Sequence, residues 1–193
     1  MNVMITGCAG FIGSHAVDHF LNLGYNVTGV DCFTYAANSN NIKEQYDNPN
    51  FKLFHLNICS ASSIKELVEL RKIQWIINFA AETHVDNSIK SASEFIRSNV
   101  EGVRSLLEVC RETGANLFQI STDEVYGSIM EGSYSEGDKL DPQNPYSATK
   151  AAAEHMIKAY SNTYKTKYLM VRPANNFGPR QHGEKFLPTI VRN

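Results

Sequence analysis

The chain reads as an α/β fold, a doubly wound parallel sheet flanked by helices, and three features of the sequence carry that reading. Short apolar runs of strand length alternate with helix-length patterns along the whole chain, an alternation that builds a parallel sheet with helices on both faces. The first run leads straight into a glycine turn, Gly7-Cys-Ala-Gly10-Phe-Ile-Gly13, and then into a helix pattern. The second run ends on an acid, Asp31.

In chain order, Val3–Thr6, Asn26–Val30, Phe51–His55, Trp75–Phe79, Leu117–Ile120 and Tyr168–Val171 are short, bounded apolar runs and read as buried strands. Between them Phe11–Leu23, Ser62–Arg71, Ala92–Glu112 and Ser147–Tyr164 are long enough for helices. Two connections look irregular, Thr34–Pro49 and Ser128–Pro145. The second is rich in Gly, Ser, Asp and Pro, and long ordered loops tend to be functional or mobile. No internal repeat or low-complexity segment is present.

With 193 residues, 42% of them hydrophobic and 20% charged, the chain has the composition of one globular domain with a sizeable core. A formal net charge of −2 favours neither nucleic acid nor an anionic membrane. No apolar run approaches the ~20 residues of a membrane span. Met1-Asn-Val-Met-Ile enters the first strand at once, so no signal peptide is expected. Cys8, Cys32, Cys59 and Cys110 form no Cys-x-x-Cys pair, which favours reduced thiols and a cytoplasmic protein. His15 and His19 are four apart on the first helix, but no third ligand accompanies them and no metal is expected.

Three stretches carry the chemistry. In the glycine turn, Gly7 suits a tight turn, Gly10 a close backbone approach to a pyrophosphate, and Gly13 close helix–sheet packing. The pyrophosphate would rest on the N–H groups of the helix that starts near Phe11. Asp31 stands where an acid accepts from adenosine ribose hydroxyls, and its charge favours NAD over NADP. Ser121-Thr-Asp-Glu124 follows a strand, so two hydroxyls and two carboxylates fall at the sheet edge where such folds bind ligands. Asn78-Phe-Ala-Ala81 likewise ends a strand on small residues before Glu82, Thr83, His84 and Asp86. Tyr146 and Lys150 are four apart at the start of a helix and share one face. A free tyrosine, with a pKa near ~10, is a poor base at neutral pH. A neighbouring ammonium lowers that value and suits the pair to taking a proton from an alcohol as a hydride leaves.

Taken together, TGCAGFIG at 6–13, DCFTYAANSNNI at 31–42, AAETHVDNSI at 80–89, STDEVYG at 121–127, NPYSATKAAAEH at 144–155 and NNFGPRQHGEKFLP at 175–188 make the chain resemble the extended short-chain dehydrogenase/reductases. Within them it is most similar to the nucleotide-sugar 4,6-dehydratases, with a Rossmann-like fold. The resemblance implies a cofactor, NAD, held by Gly7, Gly10, Phe11, Ile12 and Gly13, by Asp31, Cys32, Phe33 and Thr34, and by Asn57 and Ile58. Ala80, Ala81, Thr83, Asn99, Ser121, Tyr146 and Lys150 complete that implied set. It implies catalytic roles for Thr122, Asp123, Glu124, Tyr146 and Lys150. Substrate would touch His84, Thr122, Asp123, Glu124, Asn175, Asn176, Glu184 and Lys185.

The implied reaction dehydrates a nucleoside-diphosphate-glucose, with dTDP favoured as carrier over UDP. Carbon 4 is oxidised, water leaves across carbons 5 and 6, and hydride returns to carbon 6. An epimerase or decarboxylase of the same fold, or a non-catalytic NAD-binding module, are the alternatives. Residues 1–174 would form the NAD-binding domain, and 175–193 the start of a substrate lobe that the sequence largely lacks. A homodimer through helices 92–112 and 147–164 is also implied. The chain departs from the family pattern at Asn57, where an acid commonly meets the adenine, at Asn87, and at Arg172-Pro173-Ala174.

Overall fold

A computed structural model describes residues 1–183 and 186–192. Among them six strands form one parallel sheet in the order β3-β2-β1-β4-β5-β6. The strands are β1 (Asn2–Thr6), β2 (Asn26–Asp31), β3 (Phe51–His55), β4 (Trp75–Asn78), β5 (Asn116–Ile120) and β6 (Tyr168–Val171). The helices are α1 (Phe11–Asn22), α2 (Ala61–Arg71), α3 (Val85–Lys90), α4 (Ser93–Phe95), α5 (Gly102–Thr113), α6 (Pro145–Tyr164) and α7 (Phe186–Arg192). The doubly wound arrangement expected from the sequence is the one observed.

The central residues of the inner strands, such as Val3, Met4 and Ile5, are apolar at successive positions because both faces of the sheet are covered. Successive side chains alternate sides. Val3 and Ile5 therefore enter one core with Val17, Leu21 and Phe51, while Met4 enters the other with Leu106, Leu107, Leu117 and Ile157. Ile76 and Ile77 divide in the same way.

Differences from the expected elements have local causes. β4 stops at Asn78 because its pairing with β1 ends at Thr6↔Asn78. α6 starts at Pro145, two residues early, because Asn144 caps it: the Asn144 side chain accepts from the Ser147 N–H at 2.8 Å, and the Ser147 hydroxyl accepts from the Asn144 N–H at 3.2 Å. The helix expected over 92–112 is continuous in helical backbone but changes to a π-helical turn over Ile96–Glu101. Short helices at Ser39–Gln45, Val85–Lys90 and Asp123–Tyr126 escape a periodicity reading because they span barely two turns or less. Ser128–Leu140 is irregular and mostly exposed, as expected.

The glycine turn is packed without slack. Gly7 has φ +67°, and a Cβ there would lie 2.7 Å from the Ala80 backbone nitrogen. A Cβ on Gly13 would lie 2.1 Å from the Gly7 carbonyl oxygen, so α1 can abut the turn only with glycine at that position. Gly13→Ala is expected to destabilise the fold by about 1–3 kcal/mol, the usual cost of overpacking, as read by urea denaturation.

Candidate active site

The sheet order places β1 between β2 and β4, so the connections leave in opposite directions at this point and open a crevice above the strand ends. The glycine turn sits at that crevice. The Gly7 N–H donates to the Val30 carbonyl at 2.8 Å, and the Gly10 N–H donates to the Gly7 carbonyl at 3.1 Å. The first helical bond of α1 runs from the Ser14 N–H to the Gly10 carbonyl. The N–H groups of Phe11, Ile12 and Gly13 precede it and have no acceptor within the helix, which makes this end an anion seat.

One hollow is lined by Gly7, Gly10, Phe11, Ile12 and Gly13 on one side and by Ser121–Glu124, Tyr146, Lys150, Asn175 and Asn176 on the other, with Ala81 and Thr83 in its wall. A second hollow is lined by Asp31, Cys32, Thr34, Asn57, Ile58 and Ala80. The two share Gly7, Gly10, Ala36, Phe79 and Ala81, so they form one elongated cleft across the crossover point. The Asp31 carboxylate, 8% exposed, accepts from the Ala9 N–H at 2.9 Å and the Phe33 N–H at 2.8 Å, one on each oxygen. Each oxygen keeps a second acceptor direction.

At the other end of the cleft, β5 delivers Ser121 and Thr122, and the Asp123–Tyr126 turn delivers both carboxylates. The Thr122 hydroxyl accepts from the Glu124 N–H at 3.2 Å and donates to Asp123 Oδ1 at 3.3 Å. The Asn144 side-chain amide donates to Glu124 Oε2 at 3.0 Å, so the residue that caps α6 also holds a carboxylate beside Tyr146. The Tyr146 ring packs edge-on to Phe95 with centroids 6.4 Å apart, and its backbone N–H donates to the Ser88 hydroxyl at 3.2 Å.

The electrostatics differ from the sequence expectation. Tyr146 is pushed up from 10.0 to about 12, first by burial; Asp123 and Glu124 add to the rise, while the Thr122 hydroxyl opposes it. The buried Lys150 donates from Nζ to the Ile120 carbonyl at 2.7 Å. Burial lowers Lys150 to about 8, and Glu154 pulls the other way. The expected depression of the phenol by the lysine is therefore not seen. A phenolate buried beside two carboxylates is disfavoured, and the ammonium is turned toward a backbone carbonyl. In the ligand-free protein, phenolate formation by Tyr146 should appear near pH 12 in an ultraviolet difference titration against Tyr146→Phe. The folded state holds this proton after the unfolded chain has released it, so the Tyr146 contribution to stability falls as pH rises from 10.0 through about 12.

Several expected contacts lie elsewhere. Asn99 is 1% exposed and spends its amide on the Glu82 backbone, at 2.9 and 3.0 Å, and on the Thr149 hydroxyl at 3.0 Å, so it braces the cleft wall from behind. Phe33 turns its ring to His55 and is outside both hollows. His84 caps α3 next to Thr83 and does not line the cleft. The Ser121 hydroxyl donates to Glu154 at 2.6 Å, so its proton is not available to a ligand. Glu184 and Lys185 lie outside the described residues. Sequence reasoning missed Asn144, Glu154 and Arg172 as site-building residues. An Asn-Pro step before a helix was the available signal for Asn144; no local pattern joins Glu154 to Arg172. Among the described residues no three His, Cys, Asp or Glu side chains cluster as a metal site would require.

The pattern of the GDP-mannose 4,6 dehydratase family matches residues 4–193. The low-salt glycan biosynthesis protein Agl12 of Haloferax volcanii is 43% identical over the whole chain, which covers 62% of that protein. The trifunctional UDP-glucose 4,6-dehydratase, 3,5-epimerase and reductase of Arabidopsis thaliana is 39% identical over 98% of the chain, which covers 30% of it. Among solved structures, dTDP-glucose 4,6-dehydratase DesIV of Streptomyces venezuelae, crystallised with NAD, superposes with a TM-score of 0.95 at 40% identity, over 100% of this chain and 62% of its own. The chain thus spans less than two thirds of the length of these relatives. With a matched sequence pattern, a glycine turn at the sheet crossover and Tyr146 and Lys150 facing it across one cleft, the chain belongs to the GDP-mannose 4,6 dehydratase family.

Proposed function

We propose that the chain carries the NAD-binding and catalytic half of a nucleoside-diphosphate-glucose 4,6-dehydratase, with dTDP-glucose the favoured substrate. The observation that carries this reading is the shared cleft: Thr122, Asp123, Glu124 and Tyr146 line the same hollow as the glycine turn. The residues fit the cofactor. The free N–H groups at the start of α1 suit a pyrophosphate. Asp31 has acceptor directions left for ribose hydroxyls, and its charge repels a 2′-phosphate. When bound, NAD supplies the capacity to accept a hydride from carbon 4 and return it to carbon 6.

The chain's own residues move the protons. Tyr146 takes the proton of the sugar 4-hydroxyl, and the Thr122 hydroxyl supports the same oxygen. Lys150 supplies positive charge beside them. A ketone at carbon 4 acidifies the carbon-5 hydrogen, which Glu124 removes, and Asp123 protonates the departing 6-hydroxyl. Positioned acid–base groups of this kind contribute on the order of 10²–10⁴-fold each. Asn175 and Asn176, at the cleft mouth, would face the diphosphate. In this reading residues 1–174 are the cofactor-binding unit and 175–193 begin the substrate lobe, with Glu184 and Lys185 at its entry.

The test incubates the protein with dTDP-glucose and with UDP-glucose and weighs the products. Loss of one water from the dTDP sugar supports the reading. Loss of water from the UDP sugar alone moves the carrier to UDP, which the likeness to the plant enzyme favours. An isomer of unchanged mass would mean an epimerase, and NAD binding without turnover a binding module.

A homodimer through helices 92–112 and 147–164 completes the proposal. α5 carries Arg104, Glu108 and Arg111; Arg104 pairs with Glu101 of the preceding π-helical turn at 2.5 Å, and Arg111 pairs with Glu108 at 2.6 Å. Sedimentation at micromolar concentration should give a dimer, and a monomer would remove this part.

A further inference from the structure

Three residues of α6 recur at steps of four, Tyr146, Lys150 and Glu154, and so share one face. The first two line the cleft. The third is fully buried behind it and accepts hydrogen bonds from three donors, the Arg172 Nε proton being shared between both oxygens. The Ser121 hydroxyl donates to Glu154 Oε1 at 2.6 Å, Arg172 Nε donates to Oε1 at 2.9 Å and to Oε2 at 3.2 Å, and Arg172 Nη2 donates to Oε2 at 2.6 Å. One turn earlier Lys150 holds the Ile120 carbonyl. Consecutive residues at the end of β5, Ile120 and Ser121, are therefore pinned by consecutive turns of α6.

Arg172 follows β6 directly, and the two strand ends are laced together. The Ser121 N–H donates to the Val171 carbonyl at 2.8 Å, and the Asp123 N–H donates to the Pro173 carbonyl at 3.2 Å. The guanidinium of Arg172 also lies 4.7 Å from the Tyr126 ring centroid, bonds the Tyr126 hydroxyl, and donates to the Glu136 carbonyl at 3.1 Å. Glu154 thus joins α6 to both strand ends, and through Arg172 it reaches the carboxylate-bearing turn and the long loop.

Packing alone does not call for a charge here, since apolar replacement of a buried ion pair is often neutral or stabilising. Lys150 supplies a reason. Its ammonium is buried with one carbonyl partner, and the groups around it are Tyr146 and Glu154 on its own helix and Asp123 and Glu124 across the cleft, with Arg172 beyond Glu154. We propose that Glu154 is a positioning residue, whose buried carboxylate sets the Ser121–Glu124 segment opposite Tyr146 and acts as the internal counter-charge that keeps Lys150 protonated. This rests on the roles given above to Lys150 and to Thr122–Glu124.

The test is a titration of Lys150 by NMR of the lysine side chains in the ligand-free chain, assigned with Lys150→Met. In Glu154→Gln the Lys150 midpoint, about 8 in the parent, should fall by about one pH unit or more. Because that variant leaves Arg172 buried without its partner, Glu154→Gln with Arg172→Met is titrated beside it and should show a smaller fall in the same direction, since it removes a more distant positive charge as well. NAD affinity of Glu154→Gln should be about fivefold weaker near pH 8, where a fall of about one unit takes Lys150 from about half to about a tenth charged, and both variants should recover near pH 6, where Lys150 is charged again. A purely structural Glu154 would give no such recovery. An unchanged Lys150 midpoint in a folded variant, or an affinity loss equal at both pH values, overturns the proposal. Neither readout needs sugar turnover, so a parent protein that binds NAD but dehydrates nothing would defeat the functional reading and leave this test standing.

Discussion

Tyr146→Phe is expected to lower the rate of carbon-4 oxidation by about 10²–10⁴-fold, the range for removing a positioned acid–base group. The substitution deletes one oxygen and leaves the ring against Phe95 and the backbone bond to Ser88, so the fold should persist. The readout is the transient absorbance of reduced nicotinamide after substrate addition, with NAD affinity as the control for folding. An unchanged transient would remove Tyr146 from the mechanism. The structure adds a condition on pH. With its value about 12 in the ligand-free cleft, Tyr146 is almost wholly protonated at neutral pH, and the phenolate fraction rises with pH. Lys150, at about 8, loses its charge over the range in which that fraction grows. The rate of the first step should therefore climb from acid pH and then level or fall above about 8 as the ammonium disappears.

Glu124→Gln separates the second step from the first. Glutamine keeps an oxygen for the Asn144 amide, which now donates to Glu124 Oε2 at 3.0 Å, so the turn should keep its position. What it lacks is basicity. Oxidation at carbon 4 should continue, while exchange of the carbon-5 hydrogen with deuterated solvent and loss of water should fall by about 10²–10⁴-fold. Product mass and deuterium content report both. Parental water loss in this variant would assign the carbon-5 proton to another group, with Asp123, also in the cleft, the next to test.

The strands, the main helices and the glycine turn were legible because each is a local pattern. Val3, Met4 and Ile5 are apolar in succession because both sheet faces are covered, and the spacing of Gly7, Gly10 and Gly13 reflects contacts with a backbone only a few residues away, apart from Phe79 and Ala80. The Tyr146–Lys150 face was legible for the same reason, since four residues is one helical turn. The electrostatic state of that pair was not. It depends on how much water reaches the phenol and on where the ammonium points, and the Ile120 carbonyl that takes the ammonium lies 30 residues away. The family resemblance implies a cofactor contact at Asn99, yet its amide is taken up by the Glu82 backbone and by Thr149, 50 residues on.

From the sequence alone came the alternation of strand and helix, the family resemblance, the glycine turn, the Ser121–Glu124 run and the Tyr146–Lys150 pair. These follow from periodicity, glycine sterics and short spacings, which act within a turn or two of chain. Ala36, Phe79, Gln181 and His182 also line the cleft, with no role that the sequence assigns them. Only the tertiary structure decided that Asp123, Glu124 and Tyr146 share a hollow with the turn at residues 7–13, that burial raises the phenol instead of a lysine lowering it, and that Glu154 and Arg172 tie the two strand ends together. Those are effects of desolvation and of contacts between distant segments, and they exist only once the sheet has brought its carboxyl edge together.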